Sequence, residues 1–263
     1  MVRVDPRIPV KQGWQCQLSE DVRVTLVAYR GSERHAPHRH DCSQFTIQLA
    51  GSFMERLEGQ EYLAQGVMIG FKPEGALHAD QWDGAGSLLF TINAREEAAK
   101  FLFEGQSPGW RSSRQDGEIV RLVASLSGAD IPEIEETLPD LVALCSLTEP
   151  SPPFKERPAP AWLSRIREAL CDDPAGCPLA TLSADEGIHR VHLARSFRHH
   201  FGMTPSRFRR NQMAARLANS LAGEDISLAE CAHEGGFCDQ SHAARIFRRE
   251  TGLGLSQWRA MLG

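Results

Sequence analysis

One short pattern occurs twice near the C-terminus of this 263-residue chain. The first copy runs His192-Leu-Ala-Arg195-Ser-Phe197-Arg198 and continues with Gly202, Ser206 and Arg209. The second runs His242-Ala-Ala-Arg245-Ile-Phe247-Arg248 and continues with Gly252, Ser256 and Arg259. A short apolar segment ending in glycine precedes each copy, at 179–187 and 228–236, and the step from that glycine to the histidine differs by one residue. A repeated unit that joins a short helix, a glycine turn and a second helix fits tandem helix-turn-helix units best. Double-stranded DNA is therefore the first partner to consider.

Capping residues place the helices. Thr204 is a suitable N-cap with Pro205 at N1, opening a helix to about Leu221. Ser227 with Glu230 forms a capping box before 228–234, and Asp239 caps the helix that carries 240–250. A helix over 162–171 comes first, and Pro178 suits the first turn of 179–185. In the second helix of the first unit Leu193, Phe197 and Phe201 recur every four residues and face inward, as do Ala243 and Phe247 in the second unit. The outward side then carries Arg190, Val191, Ala194, Arg195 and Arg198 in one unit and Gln240, Ser241, Ala244, Arg245 and Arg248 in the other. Alanines let a helix sit deep in a major groove, and arginine contacts guanine bidentately. One arginine-rich face alone is more often merely solvated; two matched copies favour DNA. The connecting helix would span about 25 Å. That is on the scale of the roughly 34 Å between successive major grooves, so one chain could read two adjacent segments.

The net charge of −5 hides an asymmetry. Residues 1–149 hold 14 basic and 22 acidic residues; residues 161–263 hold 13, all arginine, against 11, with six of the ten histidines. So small an excess is a weak nucleic-acid signal, and the placement of the arginines carries the inference. Seven scattered cysteines suggest reduced thiols in a cytoplasmic protein. No secretory signal and no apolar run of membrane-spanning length is visible, which predicts no membrane partner.

Residues 150–160 contain five prolines in eleven residues and read as a semi-rigid linker between a domain at 1–149 and one at 161–263. Residues 1–93 look β-rich, with strand-like segments at 22–29 and 44–49 between turn-forming glycines. Residues 94–103, 118–126 and 131–147 switch to helical periodicity, as helices that pack on the sheet or form a subunit interface.

The run Gly236-Phe-Cys-Asp-Gln-Ser-His-Ala-Ala-Arg-Ile-Phe-Arg-Arg-Glu-Thr-Gly252 resembles the signature of the AraC/XylS family of bacterial transcription regulators. The resemblance covers 161–263 and implies seven helices, two helix-turn-helix units, and base contacts at Val191, Ala194, Arg195, Gln240, Ser241, Ala244 and Arg245. Ala243 departs from the large apolar residue usual there, which predicts looser packing under the second recognition helix and weaker base contacts. Gly254-Leu255 and Trp258 are further departures.

A second resemblance covers roughly 20–93. His38-Arg-His40 followed by Gln44 and Gly51, then Gly66 and Pro73-Glu-Gly75-Ala-Leu-His78, resemble the two cupin motifs of a small β-barrel. Gln44 stands where a metal-binding cupin has glutamate, and Trp82 where it has asparagine. His38 and His40 alternate by two and share one strand face, and His78 could join them. Three imidazoles suit Zn, Fe, Ni or Cu. The alternative is a metal-free pocket for an organic effector, lined by candidates such as Gln44, Phe45, Ile47, Phe53, Trp82 and Phe90, each of which could equally be core. His35 reads as a surface loop residue. Cys16 and Cys42 read as unreactive, with sensing of metal or oxidant as the other possibility.

The fold class expected is α+β: a cupin-like β-barrel with a helical extension, then an all-α domain with two helix-turn-helix units. The function expected is a sequence-specific regulator, controlled by a small molecule or metal, acting as a homodimer and, if an activator, on RNA polymerase. Alternatives are a constitutive regulator whose barrel only dimerises, and a metal-dependent cupin enzyme fused to a DNA-binding tail, which the missing glutamate disfavours.

Overall fold

Alternation of apolar and polar residues along Val22–Tyr29 sets the two faces of the sheet. Val24, Leu26 and Ala28 are buried on one face; Thr25 and Tyr29 lie on the other. The computed structural model describes residues 3–4, 12–113, 115–151, 153, 159–176, 178–222 and 226–262. Its strands are β1 (Arg3–Val4), β2 (Gly13–Gln17), β3 (Val22–Tyr29), β4 (Arg34–His40), β5 (Ser43–Leu57), β6 (Gln60–Gln65), β7 (Met68–Lys72) and β8 (His78–Ala94), joined later by β9 (Gly109–Ser112) and β10 (Glu149–Pro150). They form one sheet in the order β1-β4-β8-β5-β7-β9-β10, with β3 and then β2 added beside β8 and β6 beside β5. Among the described residues the sheet does not close into the barrel expected.

Three helices extend this half: α1 (Glu96–Leu102), α2 (Asp116–Leu126) and α3 (Ile131–Ser146). α1 starts two residues later than periodicity alone suggests, because β8 runs to Ala94 to pair with Val22 of β3 and Ser43 of β5. The sequence that reads as a linker begins in the sheet: Glu149 and Pro150 pair with Ser112 and Arg111 of β9. Residues 152 and 154–158 of that segment lie outside the described residues.

The rest is helical: α4 (Ala161–Asp172), α5 (Leu179–Asp185), α6 (Arg190–Phe201), α7 (Pro205–Leu221), α8 (Leu228–Glu234), α9 (Gln240–Thr251) and α10 (Leu255–Leu262). Thr204 and Asp239 accept from backbone amides at their helix starts, and Ser227 with Glu230 closes a capping box. Pro178 itself takes the N-cap position of α5, without a side-chain cap. The architecture is the α+β arrangement expected, a largely antiparallel sheet followed by a helical region with two helix-turn-helix units.

The apolar face of the sheet and the helices share one core. Val24, Leu26, Phe45, Ile47, Ile69 and Phe90 pack in the same cluster as Ile119, Val123, Leu138 and Leu141 of α2 and α3. That cluster continues through Leu217 of α7 and Phe247 of α9 to Trp258 of α10. α7 crosses the sheet where β5 is irregular. Leu49 and Ser52 are skipped by the β5–β8 register. Asn211 Nδ2 donates to the Leu49 carbonyl (3.5 Å) and Gln212 Nε2 to Ser52 Oγ (3.0 Å). Asn219 Nδ2 donates to the carbonyls of Tyr29 (3.0 Å) and Ala85 (3.1 Å). The strands approach so closely here that a Cβ on Gly51 would lie 1.9 Å from the Gly86 carbonyl oxygen, so only glycine fits.

Candidate nucleic-acid interface and histidine centre

The two recognition helices are built alike. α6 begins at His189, whose Nδ1 accepts from the Val191 amide, and stops at Gly202 in the left-handed conformation (φ 73°). α9 begins at Asp239 and stops at Gly252 (φ 77°). Leu193 and Phe197 are buried beneath the first, with Phe201 half-buried; Ala243 and Phe247 are buried beneath the second. On the opposite sides Arg190, Val191, Arg195, Arg198, Gln240, Ser241, Arg245 and Arg248 are exposed, and Ala194 and Ala244 are half-buried. The structure thus brings each set of five onto one solvent-facing surface.

The arginines divide into two groups. Arg165 pairs with Glu186, Arg210 with Glu250 and Arg216 with Asp173, while Arg209 donates to the carbonyls of Pro174 and Ala175. Among the described residues, Arg190, Arg195, Arg198, Arg245 and Arg248 have no ion-pair partner and project into solvent. Structural duty is thus separated from the surface shaped like a DNA reader, and the unpaired guanidiniums keep their full capacity for phosphate or base.

The histidine centre lies at the other end of the chain. His38 and His40 alternate along β4, and His78 opens β8 directly across from His38. Ring centroids are 4.8 Å apart for His38 and His40, 4.2 Å for His38 and His78, and 5.0 Å for His40 and His78. His38 Nδ1 is held by the Ala36 carbonyl (2.9 Å) and His78 Nδ1 by the Ala76 carbonyl (3.2 Å). That turns the Nε2 atoms inward, and His38 Nε2 lies 3.2 Å from His40 Nε2. Burial, with help from the Lys72 ammonium, pushes His78 down to about 3, so its imidazole is neutral at physiological pH. Neutral rings with one nitrogen held by a carbonyl are the form that ligates a metal.

Next to the histidines are charges that the sequence motifs do not announce. Glu55 and Asp80 each have a carboxylate oxygen within 4.8 Å of a His78 nitrogen. Lys72 Nζ bonds Glu55 Oε1 (2.7 Å), and Trp110 Nε1 bonds Glu55 Oε2 (2.6 Å). Burial opposes the charge of Lys72, but the Glu55 and Asp80 carboxylates outweigh it and hold the ammonium above its usual value. His35 belongs to β4 and not to a loop; it lies between Glu33 (3.2 Å) and Asp80 (3.6 Å). Burial works against the Asp80 carboxylate, yet the His35 bond and Lys72 hold it below the usual range. The available signals were a glutamate inside an apolar strand and an aspartate two residues after His78.

The candidate pocket residues separate onto two faces. Trp82 stacks on Tyr29 (4.4 Å, 7°) and Phe53 (5.3 Å), and His35 meets its edge (4.9 Å). Phe45 stacks on Phe103, and with Ile47 and Phe90 it belongs to the core under the helices, away from Trp82. Gln44 spends its amide on Asn93 (2.9 Å). Cys42 is buried, its thiol pushed up to about 12 by that burial, and burial also raises the half-buried Cys16, so neither is an activated thiolate.

Comparison with known proteins agrees with the repeat. Residues 182–261 match a family model described as a helix-turn-helix domain. The HTH-type transcriptional regulator RipA of Corynebacterium glutamicum is 32% identical over 120 residues, 45% of this chain and 35% of that protein, so the match spans about a third of its length. The HTH-type transcriptional activator RhaS of Escherichia fergusonii is 24% identical over 235 residues, 82% of this chain and 84% of its own. A crystal structure of ToxT from Vibrio cholerae with a bound unsaturated fatty acid covers 93% of this chain and 96% of its own, at 12% identity and a TM-score of 0.37. No helix among the described residues is long and apolar enough to cross a membrane.

Proposed function

We propose that this chain is an AraC-type regulator with an N-terminal cupin-like domain, and that a divalent transition metal held by His38, His40 and His78 controls how its two recognition helices engage an operator; the helix-turn-helix match over 182–261 and the likeness to RhaS support this reading. DNA binding, the metal, the activating role and the dimer all belong to this proposal. The observation that carries it is the approach of His38 Nε2 to His40 Nε2 at 3.2 Å, beside a His78 ring that, like that of His38, is oriented by a backbone carbonyl at Nδ1. Two imidazoles of one tetrahedral ion are separated by about that distance at nitrogen–metal lengths near 2.0–2.1 Å. An organic effector has less support, because the face beside the histidines is filled by the stacked rings of Tyr29, Trp82 and Phe53. The bound metal would supply charge and a fixed geometry; the chain's own residues would orient it, His38 and His78 through their carbonyl contacts and Asp80 through nearby negative charge.

Reading of the operator rests on Arg190, Val191, Ala194, Arg195 and Arg198 in one groove and Gln240, Ser241, Ala244, Arg245 and Arg248 in the next. Activation follows the relative named an activator and implies contact with RNA polymerase. Reduced thiols favour a cytoplasmic location.

Metal content per chain on untagged protein tests the central claim. About one equivalent is expected, lost in the His38→Ala/His40→Ala variant, with operator affinity changing when the metal is removed. Protein that stays metal-free after incubation with Zn and Ni would sink the metal and return the search to organic ligands. For the dimer, Phe101 and Leu147, each 78% exposed, are the most exposed large apolar groups among the described residues, ahead of Val191 and Ile131. Phe101→Glu should shift the protein to monomer in sedimentation; an unchanged dimer would place the interface elsewhere.

A further inference from the structure

A bulge in β4 gathers more than the three histidines onto one face of the sheet. On β8 the residues His78, Asp80 and Trp82 alternate by two and share a face. His35 pairs with Asp80 and His38 with His78, so β4 spends three steps where β8 spends two. The extra residue turns His35 and His38 to the same side, with ring centroids 5.9 Å apart. The Ala36 carbonyl, inside the bulge, is also the group that holds His38 Nδ1. Along its other edge Asp80 pairs with Glu55 of β5. Asp80 therefore stands between His35 and Glu55, in the row next to His78, and is buried.

Its carboxylate reaches two of the three imidazoles. An oxygen of Asp80 lies within 4.8 Å of nitrogens of His35 and His38, and one lies within the same distance of His78 and Glu55. Atoms bound to one tetrahedral ion are about 3.4 Å apart at bond lengths near 2.0–2.2 Å, so a closing movement of no more than about 1.4 Å brings Asp80 onto the ion. Charge supplies the reason. A dication on three neutral imidazoles would be buried beside the Lys72 ammonium, and buried charge needs a counter-charge. Glu55 is committed, with Oε1 on Lys72 and Oε2 on Trp110. Gln44 carries no charge, and its amide is on Asn93. Asp80 meets His35 Nδ1 only at 3.6 Å, and His35 keeps Glu33 at 3.2 Å when Asp80 turns away.

We propose that Asp80 is the anionic fourth ligand of the metal at His38, His40 and His78, supplied from β8 because β5 offers Gln44 and not a carboxylate. This rests on the metal reading above and deepens it: Asp80 bonds the ion and does not merely place charge near it. The ligand set also decides which ions are accepted. Three imidazoles suit Zn, Cu, Fe and Ni, and a carboxylate oxygen extends the range to Mn.

The test titrates the full, untagged chain with Zn, Mn and Co(II) and compares Asp80→Asn, which keeps the side-chain size and removes the charge. The variant should bind Zn more than about 100-fold more weakly, beyond the 10–100-fold loss typical of a residue that only supports a ligand. Mn binding should be lost. The Co(II) absorption bands should shift in position and intensity, because a bonded atom is replaced, and Asp80→Glu should bring them back toward wild type. Zn affinity within about threefold of wild type, or Co(II) bands that match wild type, would overturn the assignment. A wild type that takes up none of the three ions sinks the metal reading and this one together; a wild type that loads them while Asp80→Asn behaves alike sinks this one alone. Should Asp80→Asn show no cooperative unfolding transition, Asp80→Ser is read by the same criteria.

Discussion

The two helix-turn-helix units share a sequence pattern and are stabilised differently. The first is built on a core of its own: Leu163, Ile166 and Leu170 of α4 against Leu193, Phe197, Met203 and Phe208. The second has no separate core. Phe237, Ala243, Ile246, Phe247 and Trp258 belong to the cluster that includes the sheet and α2 and α3. Gln257 donates to the carbonyls of Ala124 and Ser127 (3.0 and 3.2 Å). A Cβ on Gly252 would lie 2.3 Å from the Val120 carbonyl oxygen. Ala243 is fully buried, and the end of its helix lies against α2 of the N-terminal half. A repeated motif fixes a local shape and leaves open what holds that shape in place.

The largest effect that could break this contrast is core truncation. Phe197→Ala and Phe247→Ala should each cost about 3–5 kcal/mol. Calorimetry should show the first as a separate early transition and the second as a drop in the main one. A single shared transition in both variants would erase the distinction. Base reading comes next. Arg195→Ala and Arg245→Ala should each cost about 1–3 kcal/mol of specific affinity, judged by fluorescence anisotropy on the operator. Equal base reading by α6 and α9 would make the two losses agree within about 1 kcal/mol; a much smaller loss at Arg245 would support the weaker second unit that Ala243 predicts. The smallest effect is at the caps. Ser227→Ala removes half of the α8 capping box and should cost about 1 kcal/mol, whereas Pro178→Ala at the uncapped start of α5 should be nearly neutral in denaturant unfolding.

Much of this was legible in the sequence because the signals were local. Helix starts at Thr204, Ser227 and Asp239, the strand over Val22–Tyr29, and the outward faces of α6 and α9 all follow from spacing and capping chemistry. The histidine triad was visible because alternation places His38 and His40 on one face. What stayed hidden was set by long-range pairing. The register shifts in β5 decide which of its residues look toward Trp82 and which toward the helices, and no local pattern shows that Phe45 and Ile47 look the other way. Glu55 reaches His78 from β5, a strand that meets β8 only in three dimensions. The bonds of Asn211, Gln212 and Asn219 to the sheet likewise join residues far apart in the chain.

The shared core also bears on modularity. A fragment beginning at Ala161 would carry both recognition helices, yet it would lose the bonds that Asn211, Gln212, Asn219 and Gln257 make to the sheet and α2. Grafting this reader onto a foreign sensor would require a sheet with the same glycine approach at Gly51 and Gly86 and the same skipped residues at Leu49 and Ser52. The helical half and the sheet therefore depend on each other for their packing, while the outward faces of α6 and α9 stay exposed.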